Sequence, residues 1–211
     1  MTQKVIIFDF DGTIADTVDA LVTIANRLAV EFGYIQITPE ELALLRSFSS
    51  REIIKYSGIS LFKIPFLLKK VKGELKYKIK EFKPILGIHE ALTELQNEGY
   101  RLGIITSNSQ ENVTAFLKNN ELEYLFDFIY SGVTIFGKTT IINNVLRQKQ
   151  LKTQAVIYVG DETRDIEASK KANIKVIAVT WGFNSPQALA KQKPDFLINH
   201  PSELLEVIKK C

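Results

Sequence analysis

The hydrophobic pattern of the chain alternates between short, continuous apolar runs and longer stretches in which apolar residues recur every three or four positions. Apolar runs of strand length lie at 5–8, 101–106, 155–159 and 175–179, with short ones at 128–130 and 195–198. Such runs are typical of strands that are buried on both faces. Helical spacing predicts helices over 88–98, 109–119, 138–148, 163–171 and 202–210. Strands that alternate with helices predict a doubly wound α/β fold with a parallel sheet.

One long stretch, 16–83, departs from this alternation. Apolar residues recur at helical spacing from Val18 to Ala29, and no convincing strand follows. Thr38, Pro39 and Glu41 have the residue types of a helix start with a capping box. We expect three to five helices here. The sequence therefore predicts two domains: a Rossmann-like α/β core formed by 1–15 and 84–211, and an all-helical cap inserted as 16–83.

Composition and charge narrow the classes of function. The 211 residues carry a net charge of +3, which is too small to indicate a nucleic-acid partner. No apolar run reaches the roughly 18 to 20 residues of a membrane helix, and the N-terminus lacks the pattern of a signal peptide. The single cysteine, Cys211, excludes an intramolecular disulfide and a cysteine metal site. We expect a cytoplasmic protein, monomeric or weakly dimeric, without nucleic-acid or membrane partners.

The positive charge is unevenly distributed. Residues 16–83 contain 12 Lys and Arg against 8 Asp and Glu, whereas the remainder contains 15 against 16. Most of the lysines in the helical stretch are expected to lie on a solvated surface. One or two basic residues of that stretch could bind an anionic substrate, and Arg46 and Arg51, which flank the SFSS segment, are the preferred candidates.

Acidic and hydroxyl side chains follow three of the predicted strands. Ligands of open α/β sheets bind beyond the carboxyl ends of the strands, so these side chains should meet at one edge. Up to five carboxylates could gather there: Asp9, Asp11, Asp161, Glu162 and Asp165. Without a cation, repulsion would keep some of them protonated. A hard cation with oxygen ligands resolves this, and Mg²⁺, which usually acts beside a substrate phosphate, is the simplest candidate.

The motifs together resemble the haloacid dehalogenase superfamily. They are DFDGT after the first strand, a hydroxyl at Thr106 after the second, Lys138 at the start of a later helix, and GDETRD at 160–165. The resemblance covers essentially the whole chain, including the position and size of the helical insertion. It is strongest to phosphoglycolate-phosphatase-like members with a helical cap.

The resemblance implies a role for each motif residue. Asp9 would be the nucleophile that forms an aspartyl-phosphate, and Asp11 the general acid and base. Thr106 and Lys138 would hold the phosphoryl group. Gly12 would permit the tight turn between the motif residues, and Ser107 and Asn108 would lie at the phosphate or the substrate.

The same resemblance implies a metal site. Asp9 and Asp161 would offer carboxylates to Mg²⁺, and Asp11 its backbone carbonyl. Asp165 would complete the site by holding metal-bound water or Lys138. Glu162 would also lie outside the direct ligands of the metal.

These inferences predict a Mg²⁺-dependent phosphatase of small phosphomonoesters, with phosphoglycolate as the leading substrate. A phosphosugar mutase would use the same catalytic residues. A non-enzymatic binding or regulatory module that keeps the fold is a third possibility, and nucleic-acid binding through the helical stretch is a weaker fourth. Trp181, which follows the strand at 175–179, is expected to serve packing rather than the site.

Overall fold

Six strands of the described residues form one parallel sheet. The computed structural model describes residues 4–131 and 137–211; residues 1–3 and 132–136 of the predicted core domain lie outside this range. The strands are β1 (Val5–Phe8), β2 (Arg101–Ile105), β3 (Phe128–Tyr130), β4 (Val156–Gly160), β5 (Lys175–Val179) and β6 (Phe196–Ile198). Their order is β3-β2-β1-β4-β5-β6, and every neighbouring pair is parallel. The predicted doubly wound, Rossmann-like fold is confirmed.

Helices cover both faces of this sheet and fill the segment after β1. They are α1 (Val18–Phe32), α2 (Pro39–Leu45), α3 (Ser50–Ser57), α4 (Ile64–Lys78), α5 (Ile88–Asn97), α6 (Gln110–Asn119), α7 (Lys138–Gln148), α8 (Thr163–Lys171), α9 (Pro186–Lys191) and α10 (Leu204–Lys210). None of these helices combines the length and the apolar character needed to cross a bilayer. Helix α9 is absent from the sequence-based prediction because it is short. The sequence feature that marks its start is Ser185 followed by Pro186. Ser185 caps the helix and accepts a hydrogen bond from Ala188 N.

The alternation of side chains along β1 explains why both faces are covered. Ile6 and Phe8 lie in one apolar cluster, together with residues of α5, α6 and α10. Val5 and Ile7 lie in the opposite cluster, which includes residues of α7 and α8. All four side chains are fully buried. Because successive residues of a strand point to opposite faces, a continuous apolar strand requires a layer on each side.

Helices α1 to α4 lie in the stretch for which three to five helices are expected. They have an apolar cluster of their own, in which Leu28 of α1 packs with Leu75 of α4. The chain enters and leaves this segment through adjacent backbone, since Asp16 N donates to Lys83 O at 3.0 Å. That the segment is a separate domain stays a prediction.

The strand order reverses between β1 and β4, which places a crevice beyond the carboxyl ends of these two central strands. Asp9 follows β1, and Asp161 follows β4. The sheet therefore delivers both acidic motifs to one point.

Close packing within the sheet gives a stability test. A Cβ added to Gly103 of β2 would lie 2.2 Å from the ring of Phe128 on β3. We expect Gly103→Ala to lower the free energy of unfolding by about 1–3 kcal/mol, measured by urea denaturation. Gly73→Ala in α4 is the matched control, because a Cβ there meets nothing within 4 Å. The control should be neutral or stabilising by up to about 1 kcal/mol. Wild-type stability of Gly103→Ala would contradict this packing.

Candidate active site

Three carboxylates meet beyond the carboxyl ends of β1 and β4. Asp9 follows β1, Asp161 follows β4, and Asp165 lies in the first turn of α8. One oxygen from each carboxylate lies within 4.8 Å of the other two. All three residues are at most 3% exposed. So much negative charge in a buried site requires nearby cations, since burial without compensation favours the protonated carboxyl group.

Lys138, at the start of α7, supplies one of these cations. Its Nζ donates to Asp9 Oδ2 at 2.8 Å and to Asp165 Oδ1 at 2.5 Å. Burial alone would lower the pKa of Lys138, but the carboxylates of Asp165 and Asp9 outweigh it and hold the pKa well above its ordinary value. The lysine is therefore charged, and it binds two of the three carboxylates together.

Asp161 is the carboxylate left without an ion pair in the described part of the chain. It accepts hydrogen bonds from Thr13 Oγ1 and from Phe183 N, each at 2.8 Å. Burial, together with the charges of Glu162, Asp165 and Asp9, raises the pKa of Asp161 well above its usual range. A divalent cation would remove this penalty. The donors are carboxylate oxygens, which suit Mg²⁺ or another hard cation, so the residues present fit a metal ion.

Glycines allow the backbone to approach Asp161. Gly12 has a φ of +75°, and a Cβ there would lie 2.5 Å from Asp161 Oδ2. A Cβ on Gly182 would lie 2.3 Å from the same carboxylate. Gly12 was expected to permit a tight turn; the structure adds that any side chain there would collide with the acid of the other motif.

Asp11 lies beside these three carboxylates but has different partners. Thr17 Oγ1 donates to its Oδ1 at 2.9 Å, and Asn108 Nδ2 lies 3.1–3.2 Å from its two oxygens. Burial and the charge of Asp9 raise the pKa of Asp11 to about 6, although the hydrogen bonds from Thr17 and Asn108 act against the shift. A carboxyl group with such a pKa can donate and accept a proton near neutral pH.

The turn after β2 brings Thr106, Ser107 and Asn108 to the same place. Thr106 is fully buried, and its Oγ1 accepts a hydrogen bond from Asn108 N at 3.0 Å. Asn108 is thereby oriented towards Asp11. Ser107 and Asn108 both line the cavity described below.

The GDETRD motif forms its own network at the start of α8. Glu162 N donates to Asp165 Oδ2 at 3.1 Å, and Arg164 forms an ion pair with the Glu162 side chain. Burial raises the pKa of Asp165 to about 6, although Lys138 opposes the shift. Gly160 is required here, because a Cβ would lie 2.3 Å from Asp165 Oδ2. Asp165 therefore holds both Lys138 and the turn that carries Glu162.

A cavity of about 300 Å³ begins at Asp11 and extends between the helices of the inserted segment. Its core side includes Asn108, Glu162 and Arg164. Its other walls are formed mainly by aliphatic side chains of α1, α3 and α4. The cleft beside the carboxylates is thus polar at one end and apolar at the other.

The two arginines preferred from the sequence do not line this cavity. The backbone carbonyl of Arg46 accepts hydrogen bonds from Ser185 N and from Asn184 Nδ2, which makes this residue a contact between the inserted helices and the core. Arg51 is exposed and borders a separate cavity of about 40 Å³ near Lys138 and Arg164.

Asn184 is a residue that sequence reasoning missed. Its Oδ1 accepts from Thr163 N at 2.8 Å, and its Nδ2 donates to the carbonyls of Arg46 and Phe48 at 3.0 and 2.9 Å. It therefore ties the inserted helices to the start of α8. Trp181 packs against the core cluster, as expected, and its Nε1 also donates to Thr13 O at 3.2 Å.

Comparison with known proteins identifies the family. The model of the haloacid dehalogenase-like hydrolase family matches residues 6–179. The chain belongs to this family. It is 38% identical over 206 residues to a phosphoglycolate phosphatase of Synechococcus elongatus, an alignment that covers 98% of this chain and 97% of that protein. It is 26% identical to pyrophosphatase PpaX of Listeria monocytogenes, with 99% of each chain covered.

A solved structure supports the same fold. A protein of Clostridium acetobutylicum, described as a predicted phosphatase, superposes with a TM-score of 0.83 at 22% identity, and all of both chains is covered. The predicted family, with its phosphoglycolate-phosphatase-like branch, and the predicted enzyme class, a phosphatase, are confirmed.

The pairing of buried Lys138 with two carboxylates gives a prediction about the stability of the protein. Lys138→Met removes the cation from Asp9 and Asp165, so we expect a loss of about 3–5 kcal/mol in the free energy of unfolding without divalent cations. Lys70→Met is the control, because the Lys70–Glu31 pair is half exposed and should contribute less than about 1 kcal/mol. Denaturant unfolding measures both. If Lys138→Met cost no more than the control, the lysine would not be what balances the carboxylates.

Proposed function

We propose that the protein is a Mg²⁺-dependent phosphatase that hydrolyses a small phosphomonoester through an aspartyl-phosphate on Asp9. The observation that carries this proposal is the arrangement of Asp9: it is buried, bound to Lys138, and adjacent to a second acid, Asp11, whose partners are different. A carboxylate nucleophile with a separate acid suits a reaction in which an oxygen leaving group must be protonated.

Asp9 is oriented for attack by two hydrogen bonds. Its Oδ2 accepts from Lys138 Nζ, and its Oδ1 accepts from Phe10 N at 2.9 Å. In the first step an Asp9 oxygen forms a bond to phosphorus while the bond from phosphorus to the leaving oxygen breaks. Asp11 transfers its proton to that leaving oxygen. Thr106, Ser107 and Lys138 lie around the position where the phosphoryl oxygens would be held.

The second step hydrolyses the aspartyl-phosphate and regenerates the free enzyme. Asp11, now ionised, accepts a proton from water, and the water oxygen bonds to phosphorus as the bond to Asp9 breaks. Inorganic phosphate leaves, and both carboxyl groups return to their starting states. Asn108 and Thr17 keep Asp11 in one orientation through both steps, which is how positioned acids accelerate such reactions by about 10²- to 10⁴-fold.

Mg²⁺ would be held by the carboxylates of Asp9 and Asp161 and by the backbone carbonyl of Asp11. When bound, it would neutralise charge on the carboxylates and on the phosphoryl oxygens. Asp165 would act mainly through Lys138, which it contacts directly. Glu162, paired with Arg164, would lie outside the direct ligands.

The inserted helices, residues 16–83, would serve as the cap over a core formed by 1–15 and 84–211. Their contacts to the core at Asn184 and their position over the cavity support this role. A cap excludes water from the reacting groups and selects the leaving group. Phosphoglycolate is the proposed substrate, since a relative of 38% identity and nearly equal length carries that name.

The nucleophile assignment is tested by Asp9→Asn. The amide is a far poorer nucleophile, so we expect phosphate release to fall at least roughly 10³-fold. The assay is Mg²⁺-dependent phosphate release from phosphoglycolate, sugar phosphates, nucleotides and pyrophosphate. Asp127→Asn, a change at an acid on the surface, should leave turnover at the wild-type level. Wild-type activity in Asp9→Asn would exclude Asp9 as the nucleophile.

The metal assignment is tested without turnover. A saturating cation that binds the folded state at 100 times its Kd stabilises by about 2.7 kcal/mol, which corresponds to roughly 5–10 °C in Tm for a chain of this size. We expect Mg²⁺ to raise the Tm of the wild type and of Asp127→Asn by such an amount, and EDTA to reverse it. Asp161→Asn should show no such rise. An undiminished rise in Asp161→Asn would place the ion elsewhere.

A further inference from the structure

Lys72 of helix α4 has surroundings that are unusual for a lysine. It is the lysine of the segment 16–83 that lines the cavity beside Asp11. It is partly buried, whereas Lys69, Lys70 and Lys76 on the same helix are exposed. Its amine forms no salt bridge with any described residue. Burial lowers its pKa, although the charge of the Asp11 carboxylate opposes the shift. An unpaired amine next to apolar walls is costly unless a ligand supplies the opposite charge.

The backbone at Lys72 is fixed to the catalytic part of the core. Asn112 of α6, which is 1% exposed, donates from Nδ2 to Lys72 O at 3.0 Å and to Asn108 Oδ1 at 2.9 Å. Asn108 in turn donates to Asp11. A continuous chain of hydrogen bonds therefore connects Asp11 to the backbone of Lys72. The backbone of Lys72 is therefore held in a fixed position relative to Asp11.

The residues that line the cavity around Lys72 indicate that the leaving group of the substrate would occupy it. Asp9, Thr106 and Lys138 do not line it, whereas Asp11 does, and Ser107 and Asp161 line the same polar end. The phosphoryl group would therefore lie at that end, and the remainder of the cavity extends from it towards the inserted helices. Asp11 is the group proposed to protonate the leaving oxygen. The part of the substrate that lies beyond that oxygen must therefore extend towards Lys72.

The walls of the cavity restrict what this leaving group can be. Of the twelve residues that the inserted segment contributes to the lining, only Ser50 and Lys72 are polar. The hydroxyls of a sugar would find few hydrogen-bond partners against the remaining aliphatic surface, and burying them unpaired is unfavourable. A compact leaving group with one negative charge would instead pair with Lys72 and place its carbon atoms against the aliphatic walls. Low local polarity strengthens that charge interaction.

We propose that Lys72 is the specificity-determining residue of the cleft, selecting phosphomonoesters whose leaving group is a short acid that carries a carboxylate. This proposal rests on the proposed phosphatase function and assigns the recognition of the leaving group to the cap. It transfers to Lys72 the role for which Arg46 and Arg51 were the candidates from sequence. It also disfavours a phosphosugar as the substrate.

The test compares two substrates that differ only in charge. Phosphoglycolate carries a carboxylate, and its carboxamide analogue, phosphoglycolamide, is neutral at the same position and nearly the same size. We expect Lys72→Met to reduce kcat/KM for phosphoglycolate by about 10- to 100-fold, the range of a hydrogen bond to a charged group. The reduction for phosphoglycolamide should be under about 3-fold. Lys76→Met, an exposed lysine on the same helix, should reduce neither.

Each possible outcome either supports the role of Lys72 or contradicts it. Equal losses on both substrates would mean that Lys72 acts on the phosphoryl group or on folding, and would overturn the proposal. An unchanged kcat/KM for phosphoglycolate in Lys72→Met would overturn it as well. So would a wild type that prefers phosphoglycolamide, although the phosphatase function would then stand. If the wild type releases phosphate from no ester at all, the proposed function itself fails, which is a distinguishable result. Lys72→Arg, which keeps the charge, should recover part of the discrimination.

Discussion

The contact of Lys138 with Asp9 and Asp165 is the interaction on which the site depends. Three carboxylates within 4.8 Å, all buried, repel one another. The lysine amine binds two of them, and its own charge is retained because their attraction outweighs the cost of burial. Among the residues that the structure describes, the third, Asp161, has only neutral donors. The protein thus compensates its buried charge incompletely, and the uncompensated part defines the kind of ligand, a cation, that the site favours.

This arrangement follows from the topology of the sheet. Because β1 and β4 are neighbours at the point where the strand order reverses, the residues after them face a common crevice. Asp9 and Asp161 are more than 150 positions apart in the chain, yet each needs only to follow its strand directly. The backbone around these carboxylates must then approach them closely. Glycines at 12, 160 and 182 permit this approach, because a Cβ at any of them would collide with a carboxylate.

The strands and the acids after them were predictable from sequence because both are local properties. A continuous apolar run marks a buried strand, and the next few residues must lie at its carboxyl end. The residues that sequence reasoning missed act across long separations. Asn184 binds backbone near position 47, and Asn112 binds the backbone of Lys72. Nothing around an asparagine in the sequence indicates which distant carbonyl it will meet. The same holds for Lys72, which resembles its neighbours in sequence and differs from them only in what packs around it.

The two asparagines also suggest how the inserted helices can be docked and still vary in their specificity. Asn184 and Asn112 both donate to backbone carbonyls of the inserted segment rather than to its side chains. A hydrogen bond to a carbonyl is available whichever side chain the residue carries, so docking constrains the path of the backbone and leaves side chains free. The side chain at position 72 can then change the charge presented to a leaving group without loosening the contact that positions it. Under the proposed function, contacts with residues outside 16–83 would set the docking geometry, and side chains of the inserted helices would set the selectivity.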